Sequence, residues 1–160
     1  GCDRPIVEEG NEIEPNTIYQ FPTKLDLTML PSLDTEEGLE FVESLKKHHH
    51  HWAIIVNEGG EPVIVMDTTK TLCDLNVEGL KTDLYDQCHR PIVVSEKDTY
   101  LDSVLGEFVV EAEDSHDHVV DRDVVLYWTA DHKRIITGAD IFGRLLKGIA
   151  KRVPPPATAN

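Results

Sequence analysis

The fold is decided by the stretch Val124-Val-Leu-Tyr-Trp-Thr-Ala-Asp-His-Lys-Arg-Ile-Ile-Thr-Gly-Ala-Asp-Ile141. It opens with an apolar run of β-branched and aromatic residues, which predicts a buried strand over Val124–Trp128. A turn at Ala130–His132 and a second apolar run at Arg134–Thr137 predict the other arm of a β-hairpin. Beyond about Ala139 the apolar residues take a helical spacing, which predicts a helix ending near Arg152.

The first half of the chain carries the same signals, roughly 65 to 70 residues earlier. His51–Val56 predicts a strand, Glu58–Glu61 predicts a turn, and Val63–Met66 predicts the returning strand. A helix is then predicted from near Thr68 to around Gly79. The repetition indicates two copies of one structural unit.

A predicted strand and helix precede each hairpin. In the first half these are a strand at Lys24–Leu30 and a helix that Asp34 or Thr35 caps. In the second half a strand at Ile92–Val94 comes before a helix with an apolar stripe at Leu101, Val104, Leu105, Phe108 and Val109. The order strand, helix, strand, strand, helix therefore occurs twice. Because one such unit is too small to bury its own apolar faces, we expect the two to pack together.

The predicted fold class is α/β, with two tandem β-α-β-β-α repeats packed as a pseudo-symmetric pair. The repeats occupy residues 21–79 and 88–152, and a polar linker at 80–87 joins them. Residues 1–20 lack periodicity and are interpreted as an N-terminal arm. Residues 153–160 are interpreted as a C-terminal tail.

The charge of the chain narrows the classes of partner. Its 160 residues include 30 Asp and Glu against 15 Lys and Arg, which gives a formal net charge of −15. Because binding to nucleic acid or to an anionic membrane needs clustered cations, we expect no nucleic-acid partner. The sequence has no apolar run of about 18 residues, so direct membrane insertion is not expected either.

The cysteines indicate the compartment. There are three, without a CxxC pair, which favours a reducing environment and predicts a cytoplasmic location. Cys73 lies close to Leu72 and Leu75 and is predicted to be a core residue. The chain begins with Gly1, and trimming, tagging and excision from a longer polypeptide all stay open as explanations.

Arg134-Ile-Ile-Thr-Gly-Ala-Asp-Ile141 resembles the closing signature of the CBS domain family, a strand ending in Thr or Ser, two free positions, and Asp at the start of the last helix. With the element order over about residues 24–150, the chain resembles a tandem CBS domain pair, or Bateman module. This resemblance implies a non-catalytic regulatory module that binds AMP, ADP, ATP or S-adenosylmethionine in the cleft between the repeats. It also implies an effector protein, an attached or associated enzyme, channel or transporter, and no required cofactor.

The chemistry of this signature suits such a ligand. Free backbone N–H groups near Ala139 can receive a phosphate, and the Thr137 hydroxyl lies beside them. Asp140 offers two acceptor oxygens to a ribose diol. An adenine ring can be flanked by the apolar residues Val124, Val125 and Ile135. The alternative is structural, with Thr137 capping the helix and Asp140 favouring its first turn.

Two departures from the family pattern affect the predicted site. Arg134 stands where the family usually has Gly, and its guanidinium can either bind a phosphate or fill the cleft. In the first repeat, one register puts Asp67 and Lys70 at the positions of the hydroxyl and the carboxylate, and the other puts Met66 and Thr69 there. One cleft is therefore predicted to be degenerate. At a net charge of −15, AMP or ADP is easier to accommodate than ATP unless Mg²⁺ carries part of the charge.

Two other classes of function stay open. A divalent-metal sensor would use the His- and Asp-rich loop, with Asp114, His116 and His118 as ligands. A ligand-free dimerisation scaffold would keep the fold and have lost both clefts. The run His48–His51 is interpreted as a solvated helix end. No nucleophile elbow, P-loop, dinucleotide fingerprint or kinase motif occurs, so no enzymatic activity is expected. We also expect the module to form a homodimer through its helix faces.

Overall fold

The computed structural model describes residues 10–48, 50–95, 121–141, 143, 146 and 147, and within them the chain is mixed α/β. The strands are β1 (Asn11–Glu12), β2 (Ile18–Gln20), β3 (Thr23–Lys24), β4 (Leu27–Thr28), β5 (Trp52–Val56), β6 (Pro62–Asp67), β7 (Cys88–Val94), β8 (Asp121–Trp128) and β9 (Lys133–Thr137). The helices are α1 (Glu36–His48) and α2 (Thr68–Glu78), residues 138–141 are helical, and short 3-10 helices lie at Pro15–Thr17, Gly79–Lys81 and Leu84–Gln87.

Seven strands form one sheet in the order β1-β9-β8-β7-β6-β5-β2. In the first half, β2 runs parallel to β5, and β5 pairs antiparallel with β6. In the second half, β7 runs parallel to β8, and β8 pairs antiparallel with β9. The halves join where β6 and β7 pair antiparallel, with Val65 opposite His89 and Met66 opposite Cys88. In the part of the chain described, no helix has the length and apolar character needed to cross a membrane.

Alternation along the strands gives the sheet an inner and an outer face. The inner face carries one core cluster to which both halves contribute, made of Ile13, Ile54, Val65, Val124, Leu126 and Ile135. On the outer face, Phe41 and Leu45 of α1 pack into a second cluster with Ile55 and Met66. A third cluster joins Tyr127 and Ile136 to Ile141 of the last helical segment. The halves therefore share a core on one side of the sheet and have separate cores on the other.

The sheet curls around the inner core. Trp52 on β5 and Ile135 on β9 line the same cavity, although three strands lie between β5 and β9 in the sheet. In a flat sheet, four strand spacings of about 4.8 Å would separate them by about 19 Å. The curl is what brings the ends of the two hairpins together.

Both predicted hairpins are confirmed, and the helical segments that begin at Glu36, Thr68 and Gly138 start close to the predicted positions. The hydroxyl of Thr35 accepts a hydrogen bond from Gly38 N at 3.1 Å, so Thr35 caps α1. Asp67 caps α2 by accepting from Lys70 N at 3.0 Å. Cys73, predicted to be buried, is exposed on α2, because its neighbours Leu72 and Leu75 point towards the core and Cys73 does not.

The prediction of one strand over Lys24–Leu30 is wrong. The segment is a small hairpin of β3 and β4, and Leu25 and Asp26 form its turn with positive φ angles of 51° and 63°. The side chains of Leu25 and Leu27 are 89% and 60% exposed. These two apolar residues are therefore exposed and do not form part of a buried strand. The hairpin of β3 and β4 lies outside the seven-stranded sheet.

Residues 10–20 were interpreted as part of an arm, yet they contribute both outermost strands of the sheet. Ile13 N donates to Lys133 O at 2.9 Å, and Ile18–Gln20 pair with β5. Gly10 has a φ of 66°, and a Cβ there would overlap the carbonyl oxygen of Ile135. Strands of two and three residues are too short to leave a periodic signal in the sequence.

Several predictions fall outside the described residues. They include the helix with the stripe Leu101–Val109, the loop Asp114–His118, most of the last helix, and the tail at 153–160. The division of the chain into two repeats and a linker stays a prediction.

Candidate functional site

Each hairpin ends where a helix begins, and the two junctions face one cavity. β6 ends at Asp67 and α2 follows, while β9 ends at Thr137 and the last helical segment follows. The cavity between them has a volume of about 420 Å³, within the range of about 300 to 1,000 Å³ that is typical of small-molecule sites. Its lining includes the side chains of His51, Trp52, Asp67, Lys70, His89, Ile135, Thr137 and Asp140.

Thr137 and Asp140 form a reciprocal cap at the start of the last helical segment. Oδ2 of Asp140 accepts hydrogen bonds from Thr137 N at 2.9 Å and from Thr137 Oγ1 at 3.0 Å. Asp140 N in turn donates to Thr137 Oγ1 at 3.3 Å. The structural role considered for this pair is therefore confirmed.

Capping leaves part of the Asp140 carboxylate available. Its cap contacts use Oδ2, and Oδ1 has no hydrogen-bond partner among the residues that the structure describes. An ionised carboxylate has about four lone-pair sites, so it can hold the cap and a ligand hydroxyl together.

The first half presents different chemistry at the same positions. Asp67 occupies the capping position that Thr137 has in the second half, and Lys70 corresponds to Asp140. Oδ1 of Asp67 accepts from Lys70 N, and Oδ2 lies 3.4 Å from His51 Nε2. Of the two registers left open by the sequence, the one with Asp67 and Lys70 agrees with the position at which β6 ends and α2 begins. Both pairs of residues line the same cavity.

An aromatic group closes one side of the cavity. The ring of Trp52 makes edge-to-face contacts with the rings of His51 and His89, at centroid distances of 5.0 Å and 5.4 Å. Trp52 is partly exposed, and His89 is buried at 8% exposure. An aromatic ring held in this way can stack on a heterocyclic base. Ile135 adds apolar surface to the lining.

Of the other predicted nucleotide contacts, Val124 and Val125 are core residues. Both are fully buried and lie on opposite faces of β8, in different clusters. The guanidinium of Arg134 donates to Gly10 O at 2.9 Å. Among the described residues, the cavity lining includes Ile135 and Thr137 but not Arg134. The alternation of β9 explains this, because Arg134 lies on the opposite face from its neighbour Ile135.

Lys70, Trp52 and His89 were not assigned to a site from the sequence. Trp52 and Lys70 lie on β5 and α2 of the first half, and His89 lies on β7, far along the chain from the recognisable motif at the end of the second half. In the structure Trp52 lies directly opposite Asp67 in the hairpin of β5 and β6. A register centred on the turn at Glu58–Glu61 is the sequence signal that could have brought these two residues together. Their approach to Thr137 depends on the curl of the sheet, which no local pattern encodes.

The metal-binding alternative is not tested by the described residues. Asp114, His116 and His118 lie outside them. In the ranges that the structure describes, no three His, Cys, Asp or Glu side chains are placed to hold a metal ion. From the histidine run, Nδ1 of His48 lies 3.1 Å from Nδ2 of Asn16, and His51 pairs with Asp67.

Comparison of the chain with protein-family models, curated proteins and solved structures finds no match. The likeness of Arg134–Ile141 to the CBS signature therefore rests on those residues and on the order of elements.

Proposed function

We propose that this chain is a non-catalytic regulatory module of the CBS-pair type. It binds an adenine nucleotide or a related adenosyl ligand and controls an attached or associated enzyme, channel or transporter. One observation carries the proposal, namely that a single cavity of about 420 Å³ receives the helix starts of both halves together with Trp52 and Asp140.

The pattern of strand pairing supports the architectural part of the proposal. A parallel pair followed by an antiparallel hairpin occurs as β2-β5-β6 and again as β7-β8-β9. A helix follows each hairpin. Two units of this kind, sharing the core around Val65 and Leu126, make the pseudo-symmetric pair of the proposal.

The cavity offers complementary chemistry for each part of an adenosyl ligand. Oδ1 of Asp140 accepts from the ribose diol, and the Trp52 indole and Ile135 provide apolar contact for adenine. Asp67 and Asp140 disfavour extra negative charge in the cavity, and the whole chain carries −15. AMP and ADP are therefore preferred to ATP unless Mg²⁺ accompanies the longer phosphate chain.

Regulation follows from the position of the cavity between the halves. A ligand that contacts both helix starts stabilises one mutual arrangement of the halves over others, and the effector responds to that arrangement. We also propose that the module forms a homodimer through its helix faces. Sedimentation equilibrium tests this by measuring whether the mass in solution is that of one chain or of two.

Thermal unfolding in the presence of candidate ligands tests the proposal. At a ligand concentration of about 100 times Kd, binding adds about 2.7 kcal/mol and raises Tm by roughly 5 to 10 °C. The ligands to compare are AMP, ADP, ATP with and without Mg²⁺, S-adenosylmethionine and Zn²⁺. Asp140→Asn keeps an oxygen for the cap and removes the charge, so we expect it to weaken binding about tenfold. Asp131→Asn, in the exposed turn before β9, is the matched control.

A Tm increase with an adenosyl ligand that Asp140→Asn reduces and Asp131→Asn preserves would support the proposal. A response to Zn²⁺ alone would point to a metal sensor and contradict it. An unchanged Tm with every ligand would also contradict it and favour the scaffold.

A further inference from the structure

We propose that Lys70 is the anion-binding residue of this cavity, so that one ligand is recognised by both halves, its diol by Asp140 and its anionic group by Lys70. This inference rests on the proposed function and specifies the class of ligand. The ligand is an adenosyl compound with one phosphate or carboxylate group, and not a polyphosphate.

Lys70 has the freedom that this role requires. It lies in the first turn of α2, is exposed and lines the cavity. Its ammonium group makes no hydrogen bond or ion pair within the part of the chain that the structure describes. Asp67, the nearest acid along the chain, is already engaged by Lys70 N and lies against His51. The lysine therefore has three donors to offer to a ligand.

Lys70 is also at an unfavourable place for a cation in the helix. The positive end of a helix dipole favours acidic residues in the first turn, as Glu36 and Glu37 illustrate in α1. The first turn of α2 contains no acidic residue, and Lys70 stands there instead. A residue that opposes the local preference of its helix is expected at functional sites. Lys70 and the start of α2 are the positively charged features on this side of the cavity, beside the capping carboxylate of Asp67.

The charge of the remaining lining limits the size of the anion. The described lining holds one permanently cationic side chain, that of Lys70, the two imidazoles of His51 and His89, and the two carboxylates of Asp67 and Asp140. One ammonium group balances a single phosphate or carboxylate. Further phosphates would meet the two carboxylates without a second permanent cation, so affinity should not rise from AMP to ATP in the absence of Mg²⁺.

Equivalent positions in the two halves explain how one ligand can be held from both sides. Lys70 and Asp140 each lie three residues after the capping residue of their helix. The residues that the sequence suggested for a degenerate second cleft thus line the same cavity as the residues that match the motif. Opposite charges at corresponding positions suit a ligand with different groups at its two ends.

Titration calorimetry with AMP and adenosine separates this inference from the proposed function. We expect Lys70→Gln to weaken AMP binding by about tenfold or more and to leave adenosine binding within about twofold. Lys70→Arg should restore most of the preference for AMP, because it keeps the charge. Lys81→Gln, on the exposed 3-10 helix after α2, is the matched control and should bind both compounds as the unchanged chain does. Lys70 is exposed and unpaired among the described residues, so Lys70→Gln should fold normally, which its Tm checks.

Four outcomes matter. Loss of AMP affinity alone in Lys70→Gln, with rescue by Lys70→Arg, supports the inference. An equal effect of Lys70→Gln on AMP and adenosine, or no effect, overturns the role of Lys70 while the proposed function stands. Tighter binding of ATP than of AMP without Mg²⁺ overturns the limit to one anionic group. If the unchanged chain binds none of adenosine, AMP, ADP, ATP with or without Mg²⁺, and S-adenosylmethionine, the proposed function fails and this inference fails with it.

Discussion

At the scale of single residues, two cysteines of the same chain have opposite environments. Cys88 begins β7, is 6% exposed and donates its thiol hydrogen to Leu84 O at 3.3 Å. Burial, with smaller contributions from the charges of Asp83 and Asp86, raises the pKa of the Cys88 thiol to about 12. Cys73 is exposed on α2. The thiolate is the reactive form of cysteine, so Cys88 should be inert in the folded protein.

We predict that a thiol reagent at pH 8 modifies Cys73 rapidly and Cys88 only after unfolding. Mass spectrometry of peptides after a time course of labelling measures both rates, and labelling in urea shows that both thiols can react. Modification of Cys88 at the rate of Cys73 in the folded protein would contradict the buried environment.

The same difference links Cys88 to stability at high pH. In the unfolded chain the thiol ionises with an ordinary pKa near 9.0, while in the folded chain it stays protonated up to about pH 12. The unfolded state therefore releases a proton as the pH rises above 9, and this thiol makes folding progressively less favourable there.

At the scale of elements, the start of α1 is fixed by a close backbone approach. Gly38 lies in its first turn, and a Cβ at this position would overlap the carbonyl oxygen of Ser32. That carbonyl also accepts hydrogen bonds from Thr35 N at 3.1 Å and from Thr35 Oγ1 at 2.6 Å. The loop before α1 thus folds back against the helix at the one residue type without a side chain.

We predict that Gly38→Ala destabilises the protein by about 1 to 3 kcal/mol, because the loop must move away from the helix. The usual effect of this change within a helix has the opposite sign, a gain of up to about 1 kcal/mol. Gly143→Ala is the control, since no atom of the described residues lies within 4 Å of a Cβ there. Urea unfolding measures both variants. A stabilising effect of Gly38→Ala would show that the loop relaxes without cost.

The elements also show where sequence patterns are informative. His51–Val56 and Val124–Trp128 were predictable as strands because they are continuous apolar runs followed by residues suited to turns. The structure begins the second strand earlier, at the charged Asp121, where no apolar pattern marks it. β2 was not predictable, because its three residues gain their strand conformation from pairing with β5. Thr137 and Asp140 were predictable because they lie within one short motif. The positions of Lys70 and Trp52 close to that motif were not predictable, because the curl of the sheet brings them there.

At the scale of the whole molecule, the inner core is built from residues of both halves, and we expect it to couple their unfolding. Ile54 and Val65 come from the first half, and Val124 and Leu126 come from the second. Trp52 and Trp128 both pack against this cluster, one from each half. Fluorescence from each tryptophan therefore reports on the same core.

We predict that Leu126→Ala lowers the free energy of unfolding by about 2 to 5 kcal/mol, because it leaves a cavity in the fully buried shared core. In Trp52→Phe and Trp128→Phe backgrounds, the remaining tryptophan should report the same shift of the urea midpoint. Leu39→Ala, at a side chain that is 56% exposed on α1, should change stability by less than about 0.5 kcal/mol. A shift seen through Trp128 but not through Trp52 would mean that the halves unfold separately.

Among the described residues, the seven-stranded sheet ends on β1 and β2, which have two and three residues. An edge strand has unpaired backbone N–H and C=O groups, and a second chain can pair with them and extend the sheet. Such pairing leads to aggregation. A margin of two or three residues offers few free amide and carbonyl groups to an incoming chain. In the described part of the chain, the short edge strands β1 and β2 therefore limit the backbone groups through which a second chain could extend the sheet.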